Sequence, residues 1–104
     1  MGLCTEKLRA DIAVGAQNCG LNGSNGAYTG EISASQFLDV GCVWVIIGHS
    51  ERREGFGMVG EDEELCAKKL KVAIDAGLKV MFAIGEKKEE RENGTTMDVC
   101  AKQL

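Results

Sequence analysis

The sequence of 104 residues has no proline, one histidine, one tryptophan and one tyrosine, and aromatic residues make up only 5% of it. It also lacks a basic excess: 12 Lys and Arg against 16 Asp and Glu leave a formal charge of −4 and a pI near 5.0. Nucleic acid and anionic membrane surfaces both call for a basic face, so this balance argues against either as a partner. A small anionic substrate needs only one local positive site and stays open. No apolar run approaches the eighteen or so residues of a membrane helix, and the N-terminus has no apolar signal-peptide core. The chain is therefore expected to be soluble and cytoplasmic. Met1-Gly2-Leu3-Cys4 starts like a myristoylation signal, but Glu6 stands where Ser or Thr is required. The five cysteines never fall in a Cys-x-x-Cys pair, and a single histidine is available to join them. They read as reduced, mostly buried thiols, with no metal site and no disulfide framework.

What is present is the composition of an ordinary folded domain, with 44% hydrophobic and 27% charged residues in a chain at most one domain long. Three short runs, Ile12 to Ala16, Val43 to Ile47 and Lys79 to Ile84, are rich in β-branched residues and too continuous for half-exposed strands. They predict strands buried on both faces, the mark of a parallel sheet. Their starts lie 31 and 36 residues apart, room for a crossover helix each time, so the expected unit is β-α-β-α-β with right-handed crossovers.

Punctuation places the helices. Ser33 and Gln36 have the spacing of a capping box, Phe37, Leu38 and Val40 follow, and Gly41 stops the turn. Glu61 to Ala76 predicts a longer helix, with acids in its first turn, Cys66, Leu70 and Ala73 on one stripe, and Gly77 at its end. Its lysines Lys68, Lys69 and Lys71 read as a solvated face. Lys87 to Asn93 predicts a short exposed helix, and Thr95 with Asp98 repeats the capping spacing for a last one that runs on to Leu104. Between the first strand and first helix lies a long loop, Asn18 to Gly30, punctuated by Gly20, Gly23, Gly26 and Gly30.

In folds built of parallel strands, ligands bind at the C-terminal strand ends, where loops and helix N-termini gather. Those ends carry Gln17-Asn18, then His49-Ser50-Glu51, then Gly85-Glu86. A histidine leaving a buried strand toward a helical turn at Ser50 to Arg53 faces the positive end of the peptide dipoles, which disfavours its cation and lets the neutral ring donate a hydrogen bond. Taken alone, a histidine after a strand is more often a structural residue, and Glu51, Arg52 and Arg53 are more often a solvated charge run. The glycine-rich loop has neither a Gly-x-Gly-x-x-Gly nor a Walker A pattern. Composition and spacing alone describe an α/β chain without a function.

Four blocks in order carry more: Ala16-Gln17-Asn18, Asn25 through Ser33, Trp44-Val45-Ile46-Ile47-Gly48-His49-Ser50-Glu51-Arg52-Arg53, and Ala83-Ile84-Gly85-Glu86. Together, from about Ile12 onward, they resemble triosephosphate isomerase, with Met1 to Asp11 similar to the tail of a preceding helix. The resemblance implies a partial (β/α)8 barrel domain over 1–104, its strands corresponding to the third, fourth and fifth. It implies an isomerase acting on triose phosphates with no cofactor and no metal. His49 would be the electrophile at the substrate carbonyl; a neutral histidine at a helix N-terminus is this family's own device, so the dipole argument is not independent of it. Glu51 would be a supporting acid near the substrate, Ser50 would help hold the histidine loop, and Gln17 and Asn18 would support the floor.

By the same resemblance the chain would form a homodimer. The loop from Asn18 to Glu31 would enter a twin subunit, Thr29 would reach its active-site region, and Glu31 would pair with Arg52 of the partner subunit. The sequence departs from the family at Ala83, where cysteine is usual, at Gly15, where alanine is common, and at Met58-Val59, which read as an insertion and leave the assignment of Glu61 as a structural acid open. A barrel of this kind has about 250 residues. The early lysine strand and the later glutamate base of the family have no counterpart here, so the chain alone is expected to be inactive and, with two open sheet edges and one uncovered inner face, marginally stable or aggregation-prone. Two rivals stand beside this reading: a non-catalytic partner that binds full-length subunits through the dimer loop, and another phosphosugar barrel enzyme.

Overall fold

The middle apolar run becomes the centre of the sheet. In a computed structural model that describes residues 1–22 and 26–104, β2 (Trp44–Ile47) lies between β1 (Gly15–Ala16) and β3 (Lys79–Phe82), parallel to both. Gly23 and Asn25, part of the glycine-rich loop and of the second matching block, lie outside the described residues. Trp44 stands opposite Gly15 and Lys79, and Val45 opposite Ala16 and Val80. Slanted bonds continue past the strand ends, from Val43 N–H to Val14 O at 3.0 Å and from Ala83 N–H to Ile47 O at 2.8 Å. The β-α-β-α-β order is as the sequence predicts.

The helices follow their caps. α1 (Gly2–Lys7) precedes the sheet, and α2 (Ala34–Asp39) opens on a complete capping box: Gln36 N–H donates to Ser33 Oγ and Ser33 N–H to Gln36 Oε1. After β2 come the short α3 (Ser50–Glu54) and then α4 (Glu63–Ala76), which is capped by Asp62, has its first helical residue two positions later than its acids suggest, and ends at Gly77 with φ +102°. α5 (Lys88–Glu92) and α6 (Thr96–Gln103) complete the chain. The capping spacing at Thr95 goes unused, because its hydroxyl donates backward to Glu90 O at 3.0 Å and joins the two helices.

One sheet face is covered and the other is not, so the apolar runs, read by themselves as buried on both faces, are buried on one, and the bare inner face implied by a partial barrel is present. Val45 and Ile47 are fully buried with Phe37, Cys42, Cys66, Ala73 and Leu78. On the opposite face Trp44 and Met81 are 37% and 59% exposed, and the Lys79 ammonium lies 5.5 Å from the Trp44 ring. Alternation along a strand sends neighbouring side chains to opposite faces, and the helices among the described residues cover only one. The first strand is shorter than its run, with Ile12 turned outward in a bend bonded to Arg9 O. Cys19, Cys42 and Cys66 are buried free thiols, Cys4 is exposed and Cys100 half-buried. No helix among the described residues is long and apolar enough to cross a membrane.

The two faces make a measurable contrast. Ile47→Ala deletes packing from a filled layer and is expected to cost about 2–5 kcal/mol in urea unfolding. Met81→Ala, on the uncovered face, is expected to cost less than about 0.5 kcal/mol. Equal costs would mean that both faces are packed.

Candidate active site

The three strand ends converge on one side of the sheet, and the central one carries His49. His49 is the N-cap of α3, and its Nδ1 accepts the Glu51 N–H at 3.2 Å. An accepting Nδ1 carries no proton, so the proton of the neutral ring sits on Nε2 and is available for donation. α3 is only five residues long, and the polarising group is this one peptide N–H rather than the summed dipole of a long helix. The Glu51 carboxylate stays 4.0 Å from Nδ1, beyond hydrogen-bond reach, and is 74% exposed. Ser50 begins α3 on the surface.

Gly48 explains the glycine before the histidine. Its φ is +82°, and a Cβ there would stand 2.6 Å from Ala83 O and 2.8 Å from Arg53 Nη2. Arg53 fills that space: Nε donates to Gly48 O at 2.8 Å, Nη2 to Ala83 O at 3.1 Å, and the guanidinium lies 5.6 Å from the Phe82 ring. This corrects the reading of Arg53 as part of a solvated run. It ties the end of β2 to the end of β3.

A second correction concerns Lys69, read as solvated with Lys68 and Lys71. Those two make exposed pairs along α4, with Glu64 and Asp75. Lys69 is 3% exposed; its Nζ meets Glu61 Oε1 at 2.6 Å and Asn18 Oδ1 at 3.2 Å. Arg52 also leaves the solvated run, donating from Nε at 2.7 Å and Nη2 at 2.6 Å to the same Glu61 oxygen. Burial pushes the Glu61 carboxyl up, but the hydrogen bonds from Lys69 and Arg52 outweigh it and hold it below the usual carboxylate range. Glu61 Oε2 is buried without a hydrogen-bond partner among the described residues. A signal for Lys69 was present in the sequence, since 66, 69 and 73 share one helical stripe and both neighbours on it are core residues.

The remaining expected residues are less closely gathered. Gln17 is exposed and Asn18 half-buried at the end of β1. Thr29 and Glu31 lie on the exposed part of the loop, whose base is closed by Gly20 N–H donating to Ile32 O at 2.8 Å. Glu31 and Arg52 line one cleft of about 200 Å³ with Asn18, although Arg52 is already committed to Glu61 in its own chain. At the end of β3, Glu86 is held by Arg91 Nε at 2.6 Å, and the Gln103 amide pairs with both Gly85 N–H and Gly85 O. A larger cleft of about 520 Å³ runs past Ser50, Arg53, Glu61 and Glu86 but does not include His49.

The family model described as triosephosphate isomerase matches residues 1–104. The chain belongs to the triosephosphate isomerase family. It is 50% identical to the triosephosphate isomerase of Candida albicans over 105 residues, all of this chain and 41% of that protein. It is 56% identical over 93 residues to the chloroplastic enzyme of Secale cereale, covering 89% of this chain and 30% of the relative. To the cytosolic triosephosphate isomerase of Stellaria longipes it is 49% identical over 98 residues, 94% of this chain and 37% of the relative. The chain thus spans about two-fifths or less of the length of these relatives. The match extends through Met1 to Asp11, beyond the start at Ile12 that the motifs define. The three parallel strands are part of this family's α/β barrel.

Glu61 generates a pH dependence. Its carboxyl is lowered in the folded chain, so it contributes stability above the ordinary carboxylate range, and that contribution disappears as pH falls through the lower folded value. Glu61→Gln is expected to cost about 3–5 kcal/mol at neutral pH, because two cations lose their counter-charge, and to flatten the acid limb of a denaturation series. An unchanged acid limb in Glu61→Gln would contradict this assignment.

Proposed function

We propose that the protein to which this sequence belongs is a cofactor-free and metal-free triosephosphate isomerase that interconverts D-glyceraldehyde 3-phosphate and dihydroxyacetone phosphate in glycolysis and gluconeogenesis. The observation that carries the proposal is the hydrogen bond from Glu51 N–H to His49 Nδ1 in a chain of this family, since it leaves Nε2–H as a donor at the end of the central strand. A neutral imidazole donor polarises a carbonyl and, within hydrogen-bond reach of both oxygens, can pass a proton to one and take it from the other as the double bond moves. Ser50 and Glu51 support the ring by opening the turn that holds it. The dimer reading assigns Thr29 and Glu31 to a contact with a second subunit, and the cytoplasm is the compartment we assign, cytosolic and chloroplastic relatives both being similar to the chain. The 104 residues form a partial barrel domain, and none of them fills the role of substrate lysine or of glutamate base.

Steady-state assays test this directly. The purified 104-residue chain is expected to give no turnover above background, because electrophile and base act on one substrate together. A chain extended to the length of its relatives should isomerise triose phosphate and lose about 10²–10⁴-fold in kcat on His49→Gln. Turnover by the short chain, or an extended chain indifferent to His49→Gln, would overturn the proposal. The exposed positions of Thr29 and Glu31 also favour a second reading, a non-catalytic partner of full-length subunits. Co-purification with such a subunit, abolished by Thr29→Ala with Glu31→Ala while the extended chain stays inactive, would select it.

A further inference from the structure

Behind the His49 turn lies a buried line of polar contacts that the proposed reaction does not use. Lys69, with a side chain 4% exposed, reaches Asn18 at the end of β1 and Glu61 at the start of α4. Glu61 grips Arg52 twice, through its carboxylate and through its N–H, which donates to Arg52 O at 2.9 Å. The N–H groups of Arg52 and Arg53 in turn donate to His49 O at 2.9 and 3.1 Å. On its other side α3 is held by Arg53, anchored on Gly48 O and Ala83 O. A five-residue helix has almost no stability of its own, so its shape is imposed from outside.

We propose that Lys69, acting through Glu61 and Arg52, is a positioning residue for His49: the buried ion pairs fix the turn whose Glu51 N–H holds the imidazole Nδ1 as an acceptor. The functional meaning rests on the reading of His49 as electrophile; the geometry does not. Lys69, with a side chain 4% exposed, would be stranded away from both water and carboxylate in any other arrangement, and that penalty fixes Glu61, to which the partly exposed Arg52 is bound by two donors. Lys69 lies outside the motif that identifies the family and reaches the histidine only through two intermediaries.

Amide hydrogen exchange, followed by NMR in a chain extended to the length of its relatives, reads the turn without any turnover. Lys69→Met is expected to lower protection of the Glu51, Arg52 and Arg53 amides by about tenfold relative to the strand amides, such as that of Ala83. Lys71→Met, which breaks only the surface pair with Asp75, should leave both sets unchanged. Equal loss of protection throughout the chain, or no selective loss at Glu51 to Arg53, would overturn the proposal, as would a wild-type chain with no protection there. Should Lys69→Met not fold, Arg52→Lys replaces it, because it keeps both charges and removes only the forked donor. Selective loss at Glu51 to Arg53 in that variant would support the clamp, and uniform loss or none would overturn it. Neither variant is read through isomerase activity, so the failure of one reading is distinguishable from the failure of the other.

Discussion

One oxygen of Glu61 accepts from two cations in a place that water scarcely reaches, and the histidine end of the sheet is organised around that contact. Lys69 ties it to α4 and to the end of β1, and Arg52 ties it to α3. Compared with well-packed apolar side chains of the same volume the three charges are not a net source of stability, because removing ions from water offsets much of what their attraction returns. What they impose is geometry. Once the carboxylate is buried, Lys69 has only one place to go, and Arg52 meets the same oxygen from the partly exposed side.

The arrangement of the strand ends follows from two constraints that meet at Gly48. Parallel pairing carries all three strand ends to the same side, so Asn18, His49 and Glu86 leave the sheet together. The positive φ of Gly48 then turns the chain sharply enough for His49 to cap α3, and the space left by the absent side chain admits the Arg53 guanidinium between β2 and β3. Ring orientation, tautomer and strand spacing are thereby set in four consecutive positions and two arginines.

Much of this was readable from the chain. Val43 to Ile47 reads as a core strand because all five side chains are apolar and four are β-branched, and Ser33, Gln36 and Gly77 act where they stand because caps are local chemistry. The uncovered face did not follow from the apolar runs, since the burial of Trp44 and Met81 depends on which elements lie across the sheet, but it did follow from the resemblance to three strands of a larger barrel. Arg53 and Lys69 were misread for a related reason: long charged side chains are usually solvated, and only a neighbouring acceptor, here Gly48 O, Ala83 O or Glu61, makes burial favourable. The unused cap at Thr95 shows the same limit at short range, where a backward bond to Glu90 O competes with the forward one.

His49 is the only histidine of the chain, so its ring nitrogens can be observed without assignment by mutation. Nitrogen-15 NMR of the neutral imidazole is the most direct measurement of the central claim, that at the strand end Nδ1 accepts the Glu51 N–H and Nε2 carries the proton. The predicted result is a bare, hydrogen-bonded Nδ1 and a protonated Nε2, with coupling from Nδ1 to the Glu51 amide. A ring protonated on Nδ1 would contradict it.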